Sequence, residues 1–385
     1  MKNISEFAYR IDGQPMFKVL DKAKYLESTG KSMIHLEIGD PNFNTPKQIV
    51  DETISSLQNG MTHYCSSYGL LEFRHRIQEI TKVSRHFKPN LEQVLVTPGA
   101  NIGIYYAVAC LVDPGYEVIV PDPGFPTYYT IIKMCGAVPV RVPLKEENEF
   151  RMNPKDIESL ITDKTRLIII NSPSNPTGSV MTPEEIKEVY DIVKKHDIYL
   201  YSDEIYSRMN YGETVFSSPA TFDKCKSHVI LSNGFSKAFA MTGWRLGSLI
   251  GPEEVIEKMQ LLLQSTSSCV SPFIQMAGIA ALRNTYYSEN MKNMYKTRRD
   301  FLVDGLNDIN NISCLLPGGA FYVFPNITKT GMTSYEVVEL LMNNGVVTLP
   351  GTCFGEYGEG YIRLCYANSL ENIEKAVNII KGVLS

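Results

Sequence analysis

Residues 167–203 read LIIINSPSNPTGSVMTPEEIKEVYDIVKKHDIYLYSD. Leu167 to Ile170 and Ile198 to Tyr201 are apolar runs of strand length. Between them Thr182 is placed as an N-cap, Pro183 follows at the first helical position, and Glu185 completes a capping box. Ile186, Val189, Tyr190 and Val193 then recur on one helical face. Strand, capped helix, strand is a parallel crossover unit, and such units build a sheet covered by helices on both faces. Working outward, Val94 to Val96, Glu117 to Val120, Val138 to Val142, Val229 to Leu231 and Leu246 to Ile250 add further buried strands. The chain is therefore expected to be α/β, with a mainly parallel seven-stranded sheet. Ligands in such sheets gather at the carboxyl ends of the strands, and Asn175, Asp203 and Lys237 all lie at or just past such ends.

With 385 residues, 44% of them hydrophobic and 21% charged, the chain has room for two domains around large cores. A net charge of −5 argues against nucleic acid or an anionic membrane as partner. No apolar stretch reaches membrane-spanning length, and Met1 to Phe7 lacks a signal peptide's apolar region, so a cytoplasmic location is expected. The eight cysteines are scattered, without CxxC pairs or zinc-ligand spacing, and read as reduced thiols, mostly in the core. No metal site is expected.

Chemistry concentrates in Ser232-Asn-Gly-Phe-Ser-Lys-Ala-Phe-Ala-Met-Thr-Gly-Trp-Arg245. A lysine amine has a reference pKa of about 10.4, so a nucleophilic lysine must be desolvated or set near another cation. Lys237 follows an apolar strand, and Arg245 supplies both a nearby cation and a planar fork for a phosphate. An amine that attacks a carbonyl on a phosphorylated cofactor suits this arrangement, and pyridoxal phosphate has both groups.

The neighbouring segments reinforce the reading. Ile38-Gly-Asp-Pro-Asn-Phe43, Val94 to Asn101, Pro121 to Tyr128, Asn171 to Gly178, Tyr201-Ser-Asp-Glu-Ile-Tyr206 and Tyr361 to Ala367 occur in fixed order around Lys237. Together they resemble the class I and II aminotransferases, of the fold-type I pyridoxal phosphate enzymes, over nearly the whole chain. The resemblance implies a large cofactor-binding domain over residues 44–285. Residues 1–43 and 286–385 would form a smaller α+β domain that closes over the active site, in which Gly318 to Phe324 and Tyr361 to Tyr366 read as strands. It also implies that Lys237 holds the cofactor, that Asp203 partners the pyridine nitrogen, and that Asn175 and Tyr206 donate to the ring's phenolic oxygen. Gly99, Ala100, Asn101, Ser236 and Arg245 would receive the phosphate, and Phe125 would stack on the ring. Tyr64 would reach the phosphate of a neighbouring subunit, which implies a homodimer with shared sites. Arg363, with a backbone donor from Gly39, would bind an amino acid carboxylate. Many relatives have Ser-x-Ser-Lys where this chain has Gly234-Phe-Ser-Lys237, so one phosphate hydroxyl is missing and tuned cofactor affinity is expected.

The activity that the resemblance implies is ping-pong transamination, with Lys237, Asp203 and Tyr206 as the catalytic groups. The amino donor would be an amino acid such as L-glutamate, and the acceptor a small keto or carbonyl compound. Arg10, Lys18, Lys22 and Lys24 leave room for an anionic or phosphorylated acceptor. The same electron sink serves decarboxylation of a phosphorylated amino acid, which stands as the alternative. β-Elimination is a third option, and a non-enzymatic regulator is disfavoured by the complete set of site residues.

Overall fold

A computed structural model describes residues 3–385. Twelve strands follow in chain order: β1 (Ile34–His35), β2 (Val94–Thr97), β3 (Glu117–Asp122), β4 (Val138–Pro143), β5 (Thr165–Asn171), β6 (Tyr199–Asp203), β7 (Val229–Gly234), β8 (Gly247–Ile250), β9 (Tyr322–Val323), β10 (Val346–Val347), β11 (Leu349–Pro350) and β12 (Ile362–Cys365). Seven of them form one sheet in the order β2-β8-β7-β6-β5-β3-β4. Neighbours from β7 to β4 pair in parallel, and β8 runs antiparallel to both β7 and β2. The fold is α/β with a mainly parallel seven-stranded sheet, as the crossover pattern predicts.

The helix Pro183–His196 forms as its sequence dictates. Thr182 accepts from the Glu185 backbone N–H while the Glu185 carboxylate accepts from Thr182, so two otherwise orphaned donors are satisfied at its start. Its apolar face, including Ile186, Val189 and Val193, is buried in one core with Ile168, Ile170 and Leu200 of the sheet. Leu95, Val118, Val120, Ile169 and Tyr201 face a separate core on the other side, packed against the helix Asn101–Leu111. Alternate strand residues thus serve opposite cores, the signature of a sheet covered on both faces.

A further core gathers β9, β12 and the helices Tyr286–Asn307, Ser334–Asn343 and Leu370–Leu384. Here β11, β12 and β9 pair antiparallel in that order, and β1 pairs parallel with β10. The strand expected over Gly318 to Phe324 shrinks to Tyr322–Val323. Ala320 adopts a positive φ of 57° and Gly319 makes an isolated bridge to Asn210, so the chain turns before it can extend.

Asp122 links the two regions. Its fully buried carboxylate accepts from the backbone N–H groups of Glu356 and Tyr357, each at 3.1 Å, and pairs with Arg141 at 2.9 Å. Burial raises its pKa, and the two amides and Arg141 act against that rise. All eight cysteines are free; Cys225, Cys314 and Cys365 are buried and the other five are partly exposed, so the expected core location holds for three. Among the described residues, no helix is long and apolar enough to cross a membrane.

Candidate active site

A cavity of about 350 Å³ opens at the carboxyl ends of the parallel strands. β6 delivers Asp203 at its last residue, the loop after β5 delivers Asn175, and the loop after β7 delivers Ser236 and Lys237. Arg363 comes from β12, and Gly39 lies just beyond β1. The order of elements therefore brings chain positions more than 300 residues apart to one wall.

The Lys237 amine donates to the Gly39 carbonyl at 2.6 Å. Burial pushes its pKa down to about 8, with Arg363 and Arg245 acting the same way, against the opposing pull of Cys365 and Asp40. A substantial neutral fraction is therefore present near physiological pH, as a nucleophilic amine requires.

Asp203 sits deeper, 6% exposed. Burial pushes its carboxyl up to about 6, while the Tyr128 hydroxyl, the Ile205 amide and the Lys237 charge hold it lower than burial alone would. The Tyr128 bond is short, 2.6 Å to Oδ2. Asn171 holds the backbone of the same residue, donating to the Asp203 carbonyl at 3.0 Å, and its own side-chain oxygen accepts from the Asn175 N–H at 2.8 Å. A buried carboxylate fixed this tightly is suited to hold a proton on a cationic ring nitrogen.

Arg363 is 1% exposed and lies between the rings of Tyr322 and Phe354, its guanidinium carbon 4.4 Å and 4.7 Å from their centroids. One terminal nitrogen donates to Asn175 Oδ1 at 2.9 Å and the other to the Glu37 carbonyl, while Nε has no partner. Among the described residues no carboxylate forms an ion pair with it. A buried cation without a counter-ion is costly, and a carboxylate ligand would relieve that cost. Asn175 is thereby tied to the arginine as well as to the cavity. Tyr206 is buried, and its hydroxyl oxygen lies 2.8 Å from that of Tyr322.

At the opposite end, Ala100 and Asn101 head the helix Asn101–Leu111, where N–H groups lack intrahelical acceptors. Gly99 has φ +91°, and a Cβ there would lie 2.5 Å from Arg245 Nη2, so only glycine lets the guanidinium approach this turn. Phe125 lines the cavity edge-on to Tyr128, with centroids 5.6 Å apart. Gly234 packs inward: a Cβ there would meet Ile205 Cδ1, the movable end of that side chain, at 2.7 Å and Ala100 Cβ at 3.2 Å.

Besides Lys237, ten of the expected site residues line this cavity, and Gly99 abuts one that does. Tyr64 does not; it is 87% exposed. Nor do Arg10, Lys18, Lys22 and Lys24: Lys22 pairs with Glu339, and the cavity mouth is formed instead by Gln14, Met16 and Phe17 of the same segment. Sequence reasoning gave no role to Tyr322 and Asn171, and Tyr128 entered it only as the end of a matching segment. The aromatic run Phe321-Tyr322 beside two glycines was the available signal for Tyr322.

A desolvated amine, a buried carboxylate at the far wall and a glycine-lined guanidinium at a helix start form a donor set that fits pyridoxal phosphate. A family model described as aminotransferase class I and II matches residues 31–380. The chain is 40% identical over 385 residues to an aspartate aminotransferase of Pyrococcus horikoshii, with 99% of this chain and 97% of that protein covered. It is 38% identical over 374 residues to aromatic-amino-acid aminotransferase 2 of Thermococcus litoralis, covering 95% and 94%. Among solved structures, the aspartate aminotransferase of Thermus thermophilus with maleate superposes at a TM-score of 0.94 and 32% identity, covering 100% of both chains.

Proposed function

We propose, from the premise that this chain belongs to the class I and II aminotransferases, that it moves the amino group of L-glutamate to a small 2-oxo acid in a ping-pong sequence. The protein is a pyridoxal 5′-phosphate-dependent aminotransferase. The observation that carries the substrate reading is Arg363, a buried guanidinium with a free Nε and no carboxylate partner, lining the same cavity as the depressed Lys237 amine.

When bound, pyridoxal phosphate supplies the electron sink for negative charge developing at Cα of the amino acid. Arg363 and the Gly39 amide orient the carboxylate of the amino acid, which fixes where Cα lies. With the cofactor bound, Lys237 Nζ would take the Cα proton of the amino acid, a general-base role that contributes about 10² to 10⁴ in rate. Asp203, held by Tyr128, would keep the ring nitrogen protonated, and Asn175 and Tyr206 would donate to the phenolic oxygen. Ala100, Asn101, Ser236 and Arg245 would hold the phosphate end beside Gly99, and Phe125 would lie against the ring.

The cationic lining residues are Lys237, Arg245 and Arg363, and the mouth presents Met16, Phe17 and Ile38 with Gln14. Once the cofactor and the α-carboxylate have used those cations, none lining the cavity within this chain is left for a dianionic phosphate on the acceptor. That favours an apolar or aromatic 2-oxo acid as acceptor over a phosphorylated one. The transaminase activities named for the relatives support proton removal over decarboxylation.

The division into residues 44–285 and the combined 1–43 and 286–385 is supported by the sheets, because all seven strands of the large sheet fall within the first range and β1 and β9–β12 within the second; the cores cross it, Phe324, Val347 and Phe354 packing in one core with Ile168 and Leu200. A homodimer is supported by the exposure of Tyr64, a residue otherwise without a cavity; light scattering at micromolar concentration tests it, and a monomer would remove the shared-site reading. For the activity itself, the loaded protein is mixed with L-glutamate alone. Stoichiometric 2-oxoglutarate supports the proposal, and carbon dioxide release or no product overturns it.

A further inference from the structure

Tyr322 is buried at the junction of two features already described. Its hydroxyl oxygen lies 2.8 Å from that of Tyr206, and its ring forms one face of the slot that holds Arg363. Gly39 makes room for the hydroxyl, since a Cβ there would stand 1.9 Å from it. β9 and β12 lock the position, because Tyr322 pairs directly with Cys365 across the ladder, two residues from Arg363. One side chain therefore touches the residue assigned to the cofactor's phenolic oxygen, the residue assigned to the carboxylate, and the glycine beside both.

A phenol has one proton to donate. If Tyr206 gives its proton to the cofactor oxygen, its own oxygen can serve the Tyr322 contact only as an acceptor, so Tyr322 must be the donor. A hydrogen bond received by Tyr206 polarises its O–H and strengthens the bond it gives. The Arg363 charge over the Tyr322 ring favours electron withdrawal from that phenol, which makes it the better donor of the two.

We propose that Tyr322 is a positioning residue that fixes Tyr206 as a donor and, through it, lowers the proton affinity of the bound cofactor. The inference rests on the cofactor reading above and extends it to a residue outside the expected set. The ring of Tyr322 also floors the Arg363 slot, so the hydroxyl and the ring have separable tasks.

Tyr322→Phe removes the hydroxyl and keeps the ring. The readout is the pH midpoint of the visible absorbance of the cofactor-loaded protein, taken without substrate. The midpoint is expected to rise by about half a pH unit, roughly a threefold change in proton affinity. KM for L-glutamate is expected to stay within about twofold, because the Arg363 slot is intact. Tyr206→Phe is expected to raise the midpoint further, and Tyr206→Phe with Tyr322→Phe to match Tyr206→Phe alone. An unchanged or lowered midpoint in Tyr322→Phe overturns the proposal, as does a double variant whose shift is the sum of the two. Failure of the wild-type protein to show a titrating visible band would instead overturn the cofactor reading itself, so the two failures are distinguishable.

Discussion

Tyr128 donates a hydrogen bond from its hydroxyl to Asp203 Oδ2 at 2.6 Å, the tyrosine fully buried and the carboxylate 6% exposed at the cavity wall. The bond stabilises the ionised carboxylate that burial opposes. Removing it should therefore raise the Asp203 pKa above its value of about 6. On the role proposed for Asp203, protonating its carboxylate lowers cofactor affinity without abolishing it, so in Tyr128→Phe that affinity should weaken at a higher pH than in the wild type, by up to about one unit. Titrating cofactor binding between pH 5 and 8 checks this, and superimposable curves would exclude the role. Asp203→Asn should still bind cofactor but slow transamination by about 100-fold or more.

Lys237 costs the cofactor-free protein stability. Its folded pKa of about 8 lies below its ordinary 10.5. Between those values the unfolded chain binds more protons than the native state, so stability rises with pH across that window. Below pH 8 the cost is fully present. Lys237→Met should raise the stability of the cofactor-free protein at pH 7 by about 2 kcal/mol and flatten the rise above pH 8. Urea melts at several pH values decide it. The same variant, like Lys237→Ala, should show no steady turnover.

Arg363→Lys keeps the charge and loses the fork. An ammonium cannot reproduce planar packing between Tyr322 and Phe354 or donate to Asn175 and a substrate carboxylate together. kcat/KM for L-glutamate should fall by about 10² or more, with the cofactor spectrum retained. Steady-state kinetics with a wild-type value would remove Arg363 from substrate binding.

At Gly99, alanine would place Cβ against Arg245 Nη2 while forcing a left-handed backbone on a residue with a side chain. Gly99→Ala should weaken cofactor affinity by about tenfold, equivalent to about 1.4 kcal/mol. Equilibrium dialysis against pyridoxal phosphate measures it, and unchanged affinity would show that Arg245 works from elsewhere.

The sheet was legible because each of its strands is a compact apolar run and the Thr182 capping box marks a helix start without tertiary help. The ends of β9 were not, since the turn at Ala320 depends on a bridge to Asn210 that no local pattern reveals. For the cavity, Lys237, Asp203 and Arg363 stand in sequences that carry their own context. Tyr128 and Tyr322 do not: a buried tyrosine reads as core until its hydroxyl partner, 75 or 116 residues away, is known. The basic side chains near the N-terminus misdirect in the opposite way, because helical phase points Met16 inward and leaves Lys18 and Lys22 in solvent.

Asp122 has a mechanical meaning beyond its bonds. It fastens the sheet to a loop that begins six or seven residues before Arg363, and Gly355 leaves its carboxylate no spare room: a Cβ there would sit 1.9 Å from Oδ1. Any rigid swing of the β9–β12 region that preserves these contacts must turn about an axis passing close to Asp122. Points near the hinge pin travel least, and Glu356 and Tyr357 are at the pin. The helix Pro15–Ser28 is tied to that region through Lys22 and Glu339, so it would travel with such a swing and carry Met16 and Phe17 at the opening with it.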